Sequence, residues 1–302
     1  MNLLTVVWDF NPTFFSIGTF EIRYYGVMWA VMLLFGGYIF TYFCKHEGLR
    51  SELADSAFVY IALGTVLGAR IGHCLFYDPA YYLPRPWTIL TEIRDGGMAS
   101  HGATIGIIIG ILLCSRKNKV SAVWLMDRLV IIAAICGAMI RFANLLNSEI
   151  VGRATDLPWG FKFVRLYPHT PLELIPAQHP TQIYEMICYI LTFGLLWWLY
   201  KRTDAPHRRG LLFGVGLIGI FLTRFCIEFI KVEQVGFERD MVLNMGQCLS
   251  IPFILTGVAM ICYALRRPRV EGPSSTGADD GAQRDKQSVQ MPKHNRKYGK
   301  KR

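Results

Sequence analysis

Long apolar segments alternate along the chain with short polar ones. Seven of these segments have roughly the 17–25 residues that a helix needs to cross a bilayer. They cover approximately residues 24–44, 56–77, 98–115, 123–147, 181–201, 210–231 and 248–266. Small residues recur inside them, as in closely packed transmembrane helices, and include Gly64, Gly68, Gly106, Gly110, Gly137, Gly214 and Gly216. The pattern predicts an all-α, polytopic membrane protein with seven transmembrane helices.

Basic residues indicate the orientation of these helices. The segments after the first, third and fifth helices are basic, and so is the start of the tail after the seventh: Lys45, Arg50, Arg116, Lys117, Lys119, Lys201, Arg202, Arg208, Arg209, Arg266, Arg267 and Arg269. Because cytoplasmic segments are enriched in Lys and Arg, the N-terminus is predicted outside and the C-terminus in the cytoplasm. The first residues have no basic stretch before the apolar one, so we expect no cleavable signal peptide.

Composition supports a membrane protein and excludes several other classes. Hydrophobic residues make up 52% of the 302 residues and charged residues 18%, with a mean hydropathy of +0.31. These values are too apolar for a soluble or a disordered chain. The eight cysteines form no CxxC pair, so we predict no metal site and no other cofactor.

The last residues of the chain differ from the rest. Residues 268–302 are polar and contain nine Lys or Arg against four Asp or Glu, a large part of the net charge of +10. We therefore expect a membrane domain over residues 1–267, followed by a basic, disordered cytoplasmic tail. Contact with anionic membrane lipids accounts for such a tail, and no nucleic-acid partner is predicted.

Polar residues inside the predicted helices gather toward the outer side. Ionisable groups are costly within a bilayer, so their common depth is informative. The group comprises Tyr24, Tyr25, Arg70, His73, His101, Arg141, Asn144, Asn147, Glu149, Gln182, Tyr184, Glu185, Arg224, Glu228, Lys231, Asn244 and Gln247. Asp127 and Arg128 lie instead near the inner interface, where snorkelling is expected to explain them. The arrangement predicts a polar pocket in the outer half of the membrane.

Helical spacing predicts polar faces on the fourth and sixth helices. The residues are Arg141, Asn144 and Ser148 on the fourth and Arg224, Glu228 and Lys231 on the sixth. Glu228, four residues after Arg224, could simply neutralise it in a structural ion pair. The presence of Arg141 and His101 at the same depth favours a functional site.

A pocket confined to the outer half suits a lipid headgroup. Two arginines suit a phosphate, because the planar guanidinium makes bidentate, charge-assisted contacts. His101 is available as a general base near neutral pH. No polar path continues through the membrane as a channel or transporter would need, and no HExxH or GxSG-type motif is present. An enzyme, a lipid-binding or transport protein, and a purely structural role for the cluster stay open at this point.

Several motifs resemble those of the prolipoprotein diacylglyceryl transferase family. They are FNPTFFSIGTFEIRYYG (10–26), GARIGHCLFY (68–77), DGGMASHGATIG (95–106), RFANLLNSEIVGR (141–153), QHPTQIYE (178–185), the run that begins at Arg224, and GQCLSIP (246–252). Their order matches the family's, and the resemblance covers about residues 7–265. Linked motifs in one order are more specific than any single motif.

The resemblance implies an enzyme of the bacterial inner membrane whose active site faces the outer leaflet or periplasm. It implies transfer of the diacylglyceryl group from phosphatidylglycerol to the lipobox cysteine thiol of a prolipoprotein. The products would be a thioether and glycerol phosphate, in the first step of lipoprotein maturation. Thiolate is the reactive form of cysteine, so a base is needed, and the resemblance assigns that role to His101.

The same resemblance implies roles for other residues. Arg141 would bind the headgroup, and Arg224 would stabilise charge on the departing phosphate. The remaining substrate-binding positions are Tyr25, Asn144, Glu149, Gly152 and Glu228. The chain departs from the family pattern at Ser148, where glycine is common, and has Lys231 at an arginine-like position. Residues 150–180 are expected to form part of a lid or docking surface, or else a cap without a gating role.

Overall fold

The computed structural model describes residues 5–18, 20–92, 99–232 and 242–270, and these are mostly helical. The helices are α1 (Tyr24–His46), α2 (Glu52–Phe76), α3 (Pro79–Tyr82), α4 (Thr88–Thr91), α5 (Ser100–Asn118), α6 (Ala122–Leu146), α7 (Thr181–Arg202), α8 (Leu211–Glu228) and α9 (Met245–Arg266). Helices therefore form at all seven positions where the apolar segments predict them.

Six helices of the described residues are long and apolar enough to cross a membrane. They are α1, α2, α6, α7, α8 and α9, and they confirm the prediction of a polytopic membrane protein. Apolar side chains on their outer surfaces, such as Leu34, Leu63, Leu191 and Leu255, are exposed in the isolated chain and are suited to contact lipid. Helix α5 has 19 residues and ends in a basic turn, and its crossing stays a prediction.

The all-α prediction is wrong for segments outside the helix bundle. Strand β1 (Val6–Trp8) pairs in parallel with β4 (Phe161–Phe163), and β2 (Thr13–Ile17) pairs antiparallel with β3 (Phe20–Arg23). The strands are short, and β1 and β4 lie far apart in the sequence, so no local alternation predicts their pairing. The indole Nε1 of Trp8 donates to the carbonyl oxygen of Leu145 at 3.0 Å, which holds β1 against the end of α6.

The two ends of the bundle differ in chemistry. We call the end where α6 finishes the Arg141 end and the opposite one the Glu47 end. The buried hydrophobic core lies in the half nearer the Glu47 end, where α1, α2, α5, α6, α7 and α8 all contribute to it. Phe43, Trp124 and Leu196 are among its fully buried side chains. The polar residues predicted to form a pocket lie in the other half, toward the Arg141 end.

Glycines bring α2 and α5 into backbone contact. A Cβ atom added at Gly72 would lie 2.6 Å from the Cα atom of Gly102, and one added at Gly106 would overlap the carbonyl group of Gly64. Only residues without a side chain allow such an approach. The close packing expected from the glycines is confirmed for this pair of helices.

A hydrogen-bonded charged network closes the Glu47 end. Arg128 donates from Nε and Nη2 to the two carboxylate oxygens of Glu47, each at 3.0 Å. The same carboxylate accepts hydrogen bonds from Trp124 Nε1 at 2.8 Å and from the hydroxyl of Tyr200 at 2.9 Å. Residues of α6 and α7 are thereby joined to the end of α1.

Asp127 caps the helix that follows this network. Its carboxylate accepts from the backbone N–H groups of Gly210 and Phe213, at 2.7 and 2.8 Å, at the N-terminus of α8. The side chains of Asp127 and Arg128 are 0% and 2% exposed. The expectation that these two residues snorkel to the interface is wrong, because packing of neighbouring helices buries both and supplies their partners.

Parts of two predicted segments lie outside the described residues. Residues 271–302 contain most of the predicted tail, and residues 93–98 begin the motif that includes His101. The boundary between a membrane domain over 1–267 and a tail over 268–302 stays a prediction.

Candidate active site

The C-terminus of α6 makes a tight turn that folds an acidic side chain back over the helix. Ser148 has a φ of +56°, its N–H donates to the carbonyl oxygen of Leu145, and the N–H of Glu149 donates to that of Asn144, both at 2.9 Å. This pair of hydrogen bonds around a left-handed residue is a Schellman motif. The turn holds the Glu149 carboxylate 3.3 Å from Nδ2 of Asn144 and 2.9 Å from Nδ2 of Asn147.

Arg141 is held by two neighbours one turn before this motif. Its Nη1 donates to Oδ1 of Asn144 at 3.1 Å, and its Nε forms an ion pair with Oε2 of Glu185 at 2.6 Å. The Glu185 side chain is fully buried, whereas that of Arg141 stays 13% exposed. The side chain is therefore oriented by α6 and α7 while part of it remains accessible.

Glu185 is shared with a second cation. Nζ of Lys231 donates to Oε1 of Glu185 at 2.9 Å and to Oε2 of Glu228 at 3.0 Å. Among the described residues the ion pair of Glu228 is with Lys231, so the alternative in which Glu228 neutralises Arg224 is not the pairing observed. Buried carboxylates and a buried ammonium group stabilise one another only as a set.

Helix ends interrupt the two predicted polar faces. Helix α6 ends at Leu146 and α8 ends at Glu228, so Ser148 and Lys231 lie beyond the helices whose faces they are predicted to share. The chain turns after Glu228, and the Lys231 side chain reaches back to that residue.

Gly152 occupies a crowded backbone position beside the cluster. It pairs with Lys231 in an isolated antiparallel bridge, and its N–H donates to the carbonyl oxygen of His179 at 2.9 Å. A Cβ atom at Gly152 would lie 2.5 Å from Cβ of His179 and 2.8 Å from its carbonyl oxygen. This crowding gives Gly152 a positional role, because a side chain there would push apart the segments that hold Lys231.

The start of α7 supplies supporting contacts to the turn after α6. The Gln182 side chain donates to the carbonyl oxygen of Glu149, and the Thr181 hydroxyl donates to that of Ile150 at 2.7 Å. The sequence places Gln182 and Glu185 at the right depth but assigns no role to them. The signal that could have identified them is their position within the QHPTQIYE motif.

His101 lies on a different pair of helices. It is in the first turn of α5, half-buried, with Nε2 3.3 Å from the hydroxyl of Tyr77 at the end of α2. The two rings are nearly parallel, with centroids 6.0 Å apart. Within the described ranges no hydrogen bond or ion pair joins His101 to Arg141 or Glu185. The structure therefore brings His101 to the Arg141 end of the bundle without direct contact with the charged cluster.

Two other predicted site residues lie at the Arg141 end of the bundle. Arg224 is half-buried on α8, one turn before Glu228, and its Nε has no hydrogen-bond partner among the described residues. Tyr25 is half-buried in the first turn of α1, with its ring centroid 6.4 Å from that of Trp29. Neither is joined to Arg141 by a hydrogen bond within the part of the chain that the structure describes.

Arg70 belongs to the scaffold of this end of the bundle. It is 1% exposed, its Nε donates to the carbonyl oxygen of Ile89 at 2.8 Å, and its Nη2 donates to that of Thr88 at 3.3 Å. Its guanidinium also lies over the Tyr82 ring, 5.1 Å from the centroid. These contacts fix the connection between α2 and α5. Across the described ranges, no three His, Cys, Asp or Glu side chains are grouped to hold a metal ion.

These features define a multi-pass membrane protein with a buried, arginine-containing polar site at one end of its helix bundle. The family model for prolipoprotein diacylglyceryl transferase matches residues 12–263. The chain belongs to the prolipoprotein diacylglyceryl transferase family, as the motifs imply.

Similar proteins cover most of the chain. A relative from Porphyromonas gingivalis is 47% identical over 272 residues, which are 87% of this chain and 96% of the relative. One from Chloroherpeton thalassium is 40% identical over 270 residues, with 89% and 98% covered, and one from Bacteroides fragilis is 38% identical over 280 residues, with 89% and 99% covered. Each of the three is named phosphatidylglycerol–prolipoprotein diacylglyceryl transferase.

Proposed function

We propose that this chain transfers the diacylglyceryl group of phosphatidylglycerol to the lipobox cysteine thiol of a prolipoprotein, and that the site around Arg141 performs this reaction. The named relatives match over nearly their whole length, which supports the same activity here. The observation that carries the choice of site is the partly exposed side chain of Arg141, held by Asn144 and Glu185 at the end of the bundle.

All seven long helices cross the inner membrane of a bacterium, with the N-terminus outside and the C-terminus in the cytoplasm. Support for α5 as the seventh comes from α2, because Gly102 packs against Gly72 near one end of the pair and Asn118 donates to Ser56 at 2.9 Å near the other. The two helices therefore extend over the same depth. Basic residues such as Lys117 are at the Glu47 end, which faces the cytoplasm, and the Arg141 end faces the outer leaflet and periplasm.

Arg141 binds the phosphate of phosphatidylglycerol. A guanidinium makes bidentate hydrogen bonds to phosphate, and a site shielded from water strengthens them. Asn144 and Glu149 hold Arg141 in place, while Tyr25, Gly152 and Glu228 shape the surroundings of the headgroup. Arg224 stabilises the charge that develops on the departing phosphate.

His101 accepts the proton of the lipobox thiol. A bond forms between the thiol sulfur and a glycerol carbon of the lipid, and the bond from that carbon to a phosphate oxygen breaks. Glycerol phosphate leaves with the electron pair of the broken bond. The hydroxyl of Tyr77, 3.3 Å from Nε2 of His101, orients the imidazole. Because His101 and Arg141 lie on different helix pairs at the same end, the lipid and the peptide can bind between them.

The segment over residues 150–180 forms a docking surface for the prolipoprotein. Its ends are anchored, since β4 pairs with β1 and Gly152 pairs with Lys231. Anchoring of this kind favours a fixed surface over a moving lid. The basic tail over 268–302 contacts anionic lipids of the inner leaflet.

Product formation tests the reaction directly. Detergent-purified protein, phosphatidylglycerol and a lipobox peptide are mixed, and the peptide mass is followed by mass spectrometry. We expect a diacylglyceryl adduct on the cysteine that His101→Ala and Arg141→Ala abolish, with folding checked by thermal unfolding. His207→Ala and Arg269→Ala, exposed residues at the Glu47 end, serve as matched controls. Lipid binding without any adduct would instead indicate a lipid-binding or transport protein.

Labelling of intact cells tests the orientation. A cysteine introduced at Leu172, exposed in the 150–180 segment, should react with a membrane-impermeant maleimide. A cysteine at Asp204, between α7 and α8, should react only after the cells are lysed. The reverse pattern would contradict the proposed orientation.

A further inference from the structure

Two residues without a role in the proposed reaction link the Arg141 guanidinium to the rest of the charged cluster. Glu185 is fully buried and lies between Arg141 and Lys231, contacting each through a different carboxylate oxygen. Lys231 is 3% exposed and is the only cation among the described residues that forms an ion pair with Glu228.

The surrounding backbone leaves Lys231 and Glu228 little room to move. Lys231 is held by its bridge to Gly152 and by the hydrogen bond of 2.8 Å from the Arg153 N–H to the carbonyl oxygen of Ile230. A Cβ atom added at Gly246 would lie 2.6 Å from Cδ of Glu228, so the start of α9 packs directly on that carboxylate. The ion pairs are therefore a fixed part of the site.

We propose that Glu185 and Lys231 are positioning residues that set the orientation and the net charge of the phosphate site. Glu185 holds the Nε side of the Arg141 guanidinium by an ion pair and Asn144 accepts from Nη1, which leaves the remaining Nη N–H groups for the anion. Lys231 neutralises the charge that Glu185 brings, so that the carboxylate does not repel the phosphate. This inference rests on the proposed function of the Arg141 site.

The balance of charges explains why Glu185 and Lys231 affect phosphate binding. The cluster and its border contain three acidic side chains and three basic ones: Glu149, Glu185, Glu228, Arg141, Arg224 and Lys231. Loss of Lys231 leaves an excess negative charge where the effective dielectric is low, and an incoming phosphate is repelled. Replacement of Glu185 by glutamine has the opposite electrostatic effect but loosens the anchor of Arg141.

Steady-state kinetics with phosphatidylglycerol as the varied lipid separates these effects. We expect Lys231→Met to raise KM for the lipid about tenfold or more, and Lys231→Arg to restore most of the loss. Glu185→Gln should lower kcat about tenfold without raising KM. The double variant Lys231→Met/Glu185→Gln should have a KM within about threefold of wild type, because the charge balance is restored.

A matched control separates positioning from support of the fold. Arg128→Met removes a buried cation from the ion pair with Glu47 at the opposite end, and should lower the thermal stability without changing KM. The proposal is overturned if Lys231→Met lowers stability but keeps the wild-type KM, or if the double variant keeps the raised KM of Lys231→Met. If Lys231→Met does not fold, Glu185→Gln decides, since a raised KM with unchanged kcat contradicts the proposal. Absence of the diacylglyceryl adduct with wild-type protein would overturn the proposed function itself.

Discussion

The Nε atom of Arg141 lies 2.6 Å from Oε2 of Glu185, which joins the end of α6 to the start of α7 by a buried ion pair. The other oxygen of Glu185 accepts from Lys231, which follows α8. Three chain segments that are distant in sequence thus meet at one carboxylate. The position of the Arg141 side chain depends on these ion pairs, and so do the effects of an Arg141 substitution on turnover and stability.

Arg141→Ala should abolish turnover while leaving most of the stability. Glu185 keeps a cationic partner in Lys231, which it shares with Glu228, so its carboxylate is not left without an ion pair, and we expect a loss of about 1–2 kcal/mol instead of the larger loss of a broken isolated pair. Turnover should fall at least about 100-fold, because the guanidinium that binds the phosphate is lost. Thermal unfolding in detergent and adduct formation by mass spectrometry measure the two effects. Large destabilisation with normal turnover of the folded fraction would assign Arg141 a structural role.

Ser148→Gly should stabilise the protein. Ser148 has a φ of +56°, a left-handed conformation that glycine adopts at lower cost, and it ends α6 at the position where glycine is most common. We expect a gain of about 1 kcal/mol, or a rise in Tm of ~2 °C. Ser250→Gly is the matched control, since Ser250 lies inside α9 and the same substitution there should destabilise. Equal effects at the two positions would contradict the explanation from backbone conformation.

Gly106→Ala should separate α2 from α5. The added methyl group would overlap the carbonyl group of Gly64, and overpacking of this kind costs about 1–3 kcal/mol. Turnover should fall as well, because His101 is carried by the same helix. Gly37→Ala provides the comparison: an added Cβ meets nothing within 4 Å there, and we expect unchanged stability and turnover. Equal losses in both variants would mean that the helix contact is not the cause.

Arg128→Met should lower stability without affecting the phosphate site. It leaves the Glu47 carboxylate with two neutral donors and no cation, at a cost of about 3 kcal/mol. Glu47→Gln in the same chain should recover part of this loss, because the uncompensated charge is removed. Thermal unfolding measures the recovery. A change in KM for phosphatidylglycerol in either variant would indicate that the two ends of the bundle are coupled.

The sequence predicted the positions of the helices well, because crossing a bilayer imposes long apolar segments that can be counted directly. It also placed Arg141, Glu185 and Lys231 at one depth, since each is an ionisable residue near the predicted outer end of its apolar segment. Their pairing could not be read from spacing. One alternative paired Glu228 with Arg224, four residues away, and the observed partner is Lys231, because α8 ends and the chain turns back.

The burial of Asp127 and Arg128 and the pairing of β1 with β4 were also missed, because they too depend on contacts between elements distant in sequence. Asp127 and Arg128 are near a predicted interface, and their burial appears only when α1, α7 and α8 are packed around α6. The pairing of β1 with β4 likewise joins two strands that are separated in sequence by α1 to α6. In both cases local sequence lacks the information, because the partner is supplied by another element.

By itself the sequence determined the class of the protein, its helices and the family to which it belongs, since hydropathy and ordered motifs are properties of the chain. Only the tertiary structure decided which charges share the carboxylate of Glu185, why Gly152 has no room for a side chain, and that His101 packs on Tyr77 and not on the charged cluster. The physical reason is that a buried charge is tolerated only with its partners in place, and those partners come from separate helices that packing brings together.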